Sequence, residues 1–94
     1  NETNRKQVAV AAPQQEKKIS VTGNVKDAIG EPLIGVNVMV KGTTIGGITD
    51  ANGNFSLSDV APNAVVSISY IGYKTQEIAL NGKTSVNVTL SEDS

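Results

Sequence analysis

Asp50, Asn52 and Asn54 stand at alternate positions around Gly53 in the stretch GGITDANGNFSL, residues 46–57. Oxygen-bearing side chains at that spacing open a calcium loop, which takes ligands at loop positions 1, 3 and 5, a glycine at 6 and a bidentate acid at 12. Counted from Asp50, position 6 is Phe55, position 12 is Ala61 and the glycine falls at position 4. The loop therefore lacks both its turn residue and its closing ligand. Ile48 before the turn and Phe55 and Leu57 after it alternate as strand residues do. Asn52-Gly53 then reads as the type I′ turn of a plain β-hairpin, whose two central residues must both accept positive φ. No metal site is expected here.

The other residues with chemical potential are carboxylates and hydroxyls. Asp27 and Glu31 flank a turn, Asp50 and Asp59 bracket the hairpin, and Glu92 and Asp93 close the chain. Acid–base work needs a positioned partner group of suitable pKa, and none of these pairs has one that the sequence locates, so they read as solvated turn carboxylates. The chain has no Cys and no His. That removes thiol nucleophiles, thiolate zinc sites, disulfides and imidazole bases together. Ser and Thr are frequent but have no evident base. KGTTIGG, residues 41–47, is not a phosphate-binding loop, because no Gly-Lys-Ser/Thr follows and no helix N-terminus is at hand. An enzyme is not expected, nor a cofactor.

Binding is better supported than catalysis. Tyr73 is the one candidate interaction residue, either as an aromatic platform for a sugar or partner, or as a ring that covers the end of the core. Strand edges at 19–26 or 85–90 are candidates for accepting a strand from another chain.

The elements that would position these residues are strands. Period-two apolar patterns run through Ile19, Val21, Gly23 and Val25; Ile34, Val36, Val38 and Val40; Phe55 and Leu57; Val66, Ile68 and Tyr70; Ile78 and Leu80; and Val86, Val88 and Leu90. Alternation of this kind marks strands with one buried face, and no window sustains helical spacing. Turn residues separate the runs at Gly30-Glu31-Pro32, Gly42-Thr43-Thr44, Gly46-Gly47, Asn52-Gly53, Pro62-Asn63, Gly72 and Asn81-Gly82. About seven short strands at even spacing predict an all-β, seven-stranded antiparallel β-sandwich with Greek-key connections.

At 94 residues the chain has room for one domain. Only 3% of residues are aromatic, so the core must be built from Val, Ile and Leu. The net charge of −1 is unevenly distributed, with four of the eight basic residues inside 1–18. A mildly acidic remainder lacks the basic patch that nucleic acid requires. Residues 1–18, rich in Gln, Asn, Lys and Ala, read as a flexible linker, 19–91 as the sandwich and 92–94 as a tail. No apolar run is long enough to cross a bilayer, and the start has no secretory signal, so the chain reads as an excised, monomeric piece.

The run VTGNVKDAIGEPLIGVNVMVKGTTIGGITDANGNFSL, with SISYIGYKTQEI and VNVTL after it, closely resembles the N-terminal carboxypeptidase-regulatory-like domain of SusC/RagA-type TonB-dependent transporters of the Bacteroidetes. The resemblance covers residues 21–90. It rests on the opening from Gly23 to Val38, the Lys41-Gly42-Thr43-Thr44 turn, the Thr49-Asp50 to Gly53-Asn54-Phe55 segment and Ser69-Tyr70-Ile71-Gly72-Tyr73. It implies a seven-stranded, transthyretin-like sandwich at the periplasmic face of the outer membrane, preceding a TonB-interacting segment, plug and barrel. The implied role is a non-catalytic accessory domain of a glycan or peptide transporter, touching TonB, the transporter's own plug or barrel, or another periplasmic protein. A carbohydrate-binding module and a structural spacer are the alternatives.

Overall fold

The computed structural model describes residues 17–93. Residues 1–16 and Ser94, which hold most of the expected linker and the end of the expected tail, lie outside the described part. Seven strands follow in order: β1 Ile19–Lys26, β2 Asn37–Val40, β3 Gly46–Ile48, β4 Asn54–Val60, β5 Val65–Ser69, β6 Gln76–Ala79 and β7 Ser85–Thr89. They form two sheets, β4-β1-β7 and β3-β2-β5-β6. The all-β, seven-stranded sandwich is as the alternation predicts.

The alternation also fills the space between the sheets. Val21 and Val25 of β1, Val38 and Val40 of β2, Phe55, Leu57 and Val60 of β4, Val66 and Ile68 of β5, and Val86 and Val88 of β7 are buried, joined by Val36, Leu80 and Leu90 just outside the strands. Each such side chain withdrawn from water contributes roughly 1.5–3 kcal/mol before entropy is counted. Gly23 keeps the period of β1 but offers no side chain. A Cβ there would lie 2.4 Å or less from two ring atoms of Phe55, so the glycine is what lets the single phenylalanine lie flat across β1.

Four of the five strand pairs are antiparallel, but β1 and β7 run parallel, Gly23 opposite Val86 and Val25 opposite Val88. Period-two patterning reports which face a residue takes and is silent on strand direction. Because β6 belongs to the opposite sheet, the chain crosses the sandwich before β7 and enters its sheet from the same end as β1.

Three further local expectations are corrected. Ile34 does not share the buried face of Val36; it is exposed, because the backbone swings through positive φ at Gly35 (82°) between them. Asn52-Gly53 is not a type I′ turn, since only Gly53 (79°) of the pair has positive φ. The two-residue pattern occurs instead at Asn81-Gly82 (52° and 81°), closed by the Lys83 amide donating to the Leu80 carbonyl at 3.0 Å. Finally, 50–54 is not a hairpin between paired strands. Ile48 pairs with Asn37 of β2 while Asn54 pairs with Asn24 of β1, so the segment is a corner that carries the chain from one sheet to the other.

Candidate functional site

Seven strand ends meet at one end of the sandwich, where β1, β3, β5 and β7 finish and β2, β4 and β6 begin. Four segments cap it: 27–36, 49–53, 70–75 and 90–93. Two of them contain the same device. Asp27 Oδ1 accepts from the amides of Ile29 (3.0 Å) and Glu31 (2.9 Å), the Gly30 amide donates to the Asp27 carbonyl and the Asp27 amide to the Glu31 carbonyl. Asp50 Oδ1 accepts from the amides of Asn52 and Asn54, both at 2.9 Å, with the Gly53 amide on the Asp50 carbonyl and the Asp50 amide on the Asn54 carbonyl. An Asp side chain that mimics a backbone acceptor, followed by a left-handed glycine, is a three-residue turn with its glycine at the bulge position. Both Oδ1 atoms are thus engaged in holding a turn.

Thr49 fixes the second corner from inside. It is buried; its hydroxyl accepts from the Val36 amide at 2.9 Å and donates to the Leu33 carbonyl at 2.6 Å. Its β-branched hydroxyl satisfies two backbone groups, the buried Val36 amide and the partly buried Leu33 carbonyl.

The candidate residue Tyr73 lies at this end. It is half-buried, forms an isolated bridge with Glu92 and stacks on Tyr70 with ring centroids 5.7 Å apart and planes 27° from parallel. The stacking occupies one face of its ring, and the side chain packs against the core cluster. Tyr73 also lines a notch of about 280 Å³ together with Ile29, Leu90 and Glu92. Its phenol is held above the usual tyrosine pKa, first by desolvation and then by the negative charge of Glu92 and Asp27. The ring therefore stays neutral at ordinary pH, with its hydroxyl able to donate.

Three exposed isoleucines lie in the turns at the same end, Ile29 lining the notch with Tyr73 and Ile34 being the residue expected on a buried face. Ile29 is 81% exposed, Ile71 is 91% exposed and Ile34 is 58% exposed. With Ile48, also exposed, they make four of the five large hydrophobics that face solvent among the described residues. A signal for three of them was present: Ile29, Ile34 and Ile71 each precede a glycine of positive φ, Gly30, Gly35 and Gly72. A residue just before such a glycine sits at a turn tip, where the core cannot reach it.

The strand-edge candidates fare differently. Segment 19–26 is β1, paired on both sides, so it has no free edge. β7 is an edge, but its outer side is partly covered, with the Lys74 amide on the Ser91 carbonyl, the Asp93 amide on the Gly72 carbonyl and the Gln76 side-chain amide on the Thr89 carbonyl. The outer face of β4-β1-β7 offers an open groove of about 640 Å³ lined by polar groups such as Thr22, Asn24, Ser56 and Asn87, with Asp50 and the exposed Ile48 at its side and Asn24 donating to Asn54 Oδ1 at 2.8 Å. Among the described residues no three His, Cys, Asp or Glu side chains are grouped to hold a metal ion.

Comparison with known proteins follows the same lines. A family model described as "CarboxypepD_reg-like domain" matches residues 21–94. The chain is 49% identical over 77 residues to the TonB-dependent receptor SusC of Bacteroides thetaiotaomicron, covering 82% of this chain and 7% of that protein. It is 40% identical over 73 residues to the TonB-dependent receptor P39 of Formosa agariphila, covering 78% and 7%. The chain thus spans less than a tenth of the length of these relatives. Among solved structures, a chain of a type II Cohesin-X-Dockerin complex from Acetivibrio cellulolyticus superposes with a TM-score of 0.58 at 31% identity, over 78% of this chain and 51% of that one.

Proposed function

The chain belongs to the CarboxypepD_reg-like domain family and matches TonB-dependent receptors of the SusC type, and from that premise we propose that it is a non-catalytic accessory domain of such a receptor. It works at the periplasmic face of the outer membrane and makes protein contacts that assist import of a nutrient, a glycan or a peptide. Its partner is TonB, the receptor's own plug or barrel, or another periplasmic protein. Tyr73 belongs to the contact surface. Residues 1–18 act as the connector on one side, and the chain after residue 91 leads to the rest of the receptor.

The observation that carries this reading is the exposure of Ile29, Ile34 and Ile71 in the turns at the end of the sandwich where Tyr73 lies, with Ile29 and Tyr73 lining one notch. A domain whose core already holds fourteen buried apolar residues has no internal need to leave these in water. Contiguous exposed apolar side chains with a polar rim mark contact surfaces. The Oδ1 atoms of Asp27 and Asp50 are each committed to two backbone amides, a turn-holding rather than an acid–base role.

The test is deletion of residues 19–91 from a parent receptor, with import, outer-membrane assembly and capture of periplasmic partners measured together. Loss of import with assembly intact is the expected result. Normal import, assembly and partner capture would leave only a spacer.

A further inference from the structure

The two ends of the sandwich differ in charge as well as in shape. The end described above carries Asp27, Glu31, Asp50, Glu92 and Asp93, five of the seven acidic residues in the described part, against Lys26 and Lys74. The opposite end carries Lys17, Lys18, Lys41 and Lys83, with Glu77 paired to Lys41 at 3.0 Å and Asp59 close by. The exposed isoleucines are all on the acidic end; the basic end has turns of Gly, Thr, Pro and Asn. We infer that the acidic end is a docking surface for a cationic segment of a partner protein that carries aliphatic or aromatic anchors between its Lys or Arg residues. This rests on the interaction-domain reading and adds to it the surface and the chemistry of the partner.

The geometry suits such a segment. The notch between Ile29 and Tyr73 takes an apolar side chain, and Glu92 lies on its rim. A second hollow of about 380 Å³ is lined by Asn37, Ser69, Tyr70 and Ile71, and its Tyr70 stacks on the Tyr73 that lines the first. Anchors two residues apart on an extended segment, with cations between them, would place apolar groups in the hollows and charge at the rim. The carboxylates that would meet those cations act on this spot already, since Glu92 and Asp27 both raise the Tyr73 pKa. An anionic or a purely polar segment gains nothing from this arrangement, because it meets like charge or leaves the isoleucines wet. Opposite charge at a rim mainly steers and selects, while the apolar centre supplies affinity.

The test is an amide NMR titration of the 94-residue chain with three capped hexapeptides, alternating Leu-Lys, Leu-Glu and Ser-Lys. The proposal expects the Leu-Lys peptide alone to shift the amides of Ile29, Ile71 and Tyr73. Glu92→Gln and Asp93→Asn should each weaken that binding by roughly two- to fivefold, as exposed charge pairs do, and Ile71→Ser should remove most of it. Equal response to Leu-Glu or to Ser-Lys would overturn it, as would shifts at the Lys41 and Lys83 end or no shift at millimolar peptide. Sedimentation in the absence of peptide is the second arm. Concentration-dependent association abolished by Ile71→Ser would show that the acidic end meets the basic end of a second copy, and would overturn the choice of partner. If the peptides fail while deletion of the domain still stops import, only this surface is lost and the interaction-domain reading stands.

Discussion

The turns at Asp27–Glu31 and Asp50–Asn54 share the pattern Asp-Ala-x-Gly-x and the same four hydrogen bonds, yet they sit in opposite surroundings. Gly30, at φ 91°, has nothing within 4 Å of where a Cβ would be. Gly53, at φ 79°, has the Val25 carbonyl oxygen 2.5 Å from that point, Pro32 at 3.1 Å and the Leu33 amide at 3.4 Å. Its own carbonyl accepts from the Val25 amide at 2.8 Å. The first turn projects from the sandwich, whereas the second is clamped between β1 and the Pro32-Leu33 segment. Local sequence determines that both turns form, and what packs on them determines how much each is worth.

Replacing the two glycines should break this equivalence most clearly. Gly53→Ala adds left-handed strain of about 1–2 kcal/mol and an overpacking cost of about 1–3 kcal/mol against a backbone oxygen that cannot step aside. A loss of roughly 2–5 kcal/mol in urea denaturation is expected, and Gly53→Val should cost more. Gly30→Ala meets open space and should cost only the strain, about 1–2 kcal/mol. Equal midpoints for the two alanine variants would mean that the clamp on Gly53 is absent in solution.

The next effect belongs to the clamp's inner support. Thr49→Val keeps the shape of the side chain but strips the Val36 amide and the Leu33 carbonyl of their partner. An unsatisfied buried group costs about 1–3 kcal/mol, so this variant should fall between the two glycine changes. A midpoint equal to wild type would show that water reaches these groups.

These contrasts also explain what could be read from the residues alone. Strand number and core faces were legible because Val and Ile alternate through β1, β2, β5 and β7, and burial follows period two wherever the backbone stays extended. Ile34 departed from that rule because one left-handed glycine intervened. The parallel β1–β7 pair and the corner at 50–54 were not legible, since both depend on which sheet a strand joins, and that is settled by contacts far apart in the chain. At the candidate site Tyr73 stood out as an aromatic after a turn. Ile34 did not, because it reads as one more member of the Val36, Val38 and Val40 alternation, and Ile29 and Ile71 did not, because a single apolar residue before a turn glycine carries no period of its own.

The smallest stability effects should come from the turn aspartates, and they differ in what else they change. Asp50→Ala removes two amide acceptors next to Asn54, the first residue of β4, and should cost about 1–2 kcal/mol, as loss of a capping side chain does. Asp27→Ala removes the same two bonds from a turn whose glycine meets open space, and about 0.5–1 kcal/mol is expected. Yet the Asp27 carboxylate is what holds the Ile29 amide, and Ile29 is 81% exposed at the edge of the Tyr73 notch. A turn that adds so little to the fold but fixes an exposed isoleucine in place is suited to presenting it. Asp27→Ala should therefore lower the urea midpoint less than Asp50→Ala does, while amide exchange at Ile29 and Glu31 quickens severalfold. A large fall in the midpoint would mean that the projecting turn supports the core after all, and the contrast with Asp50 would lose its basis.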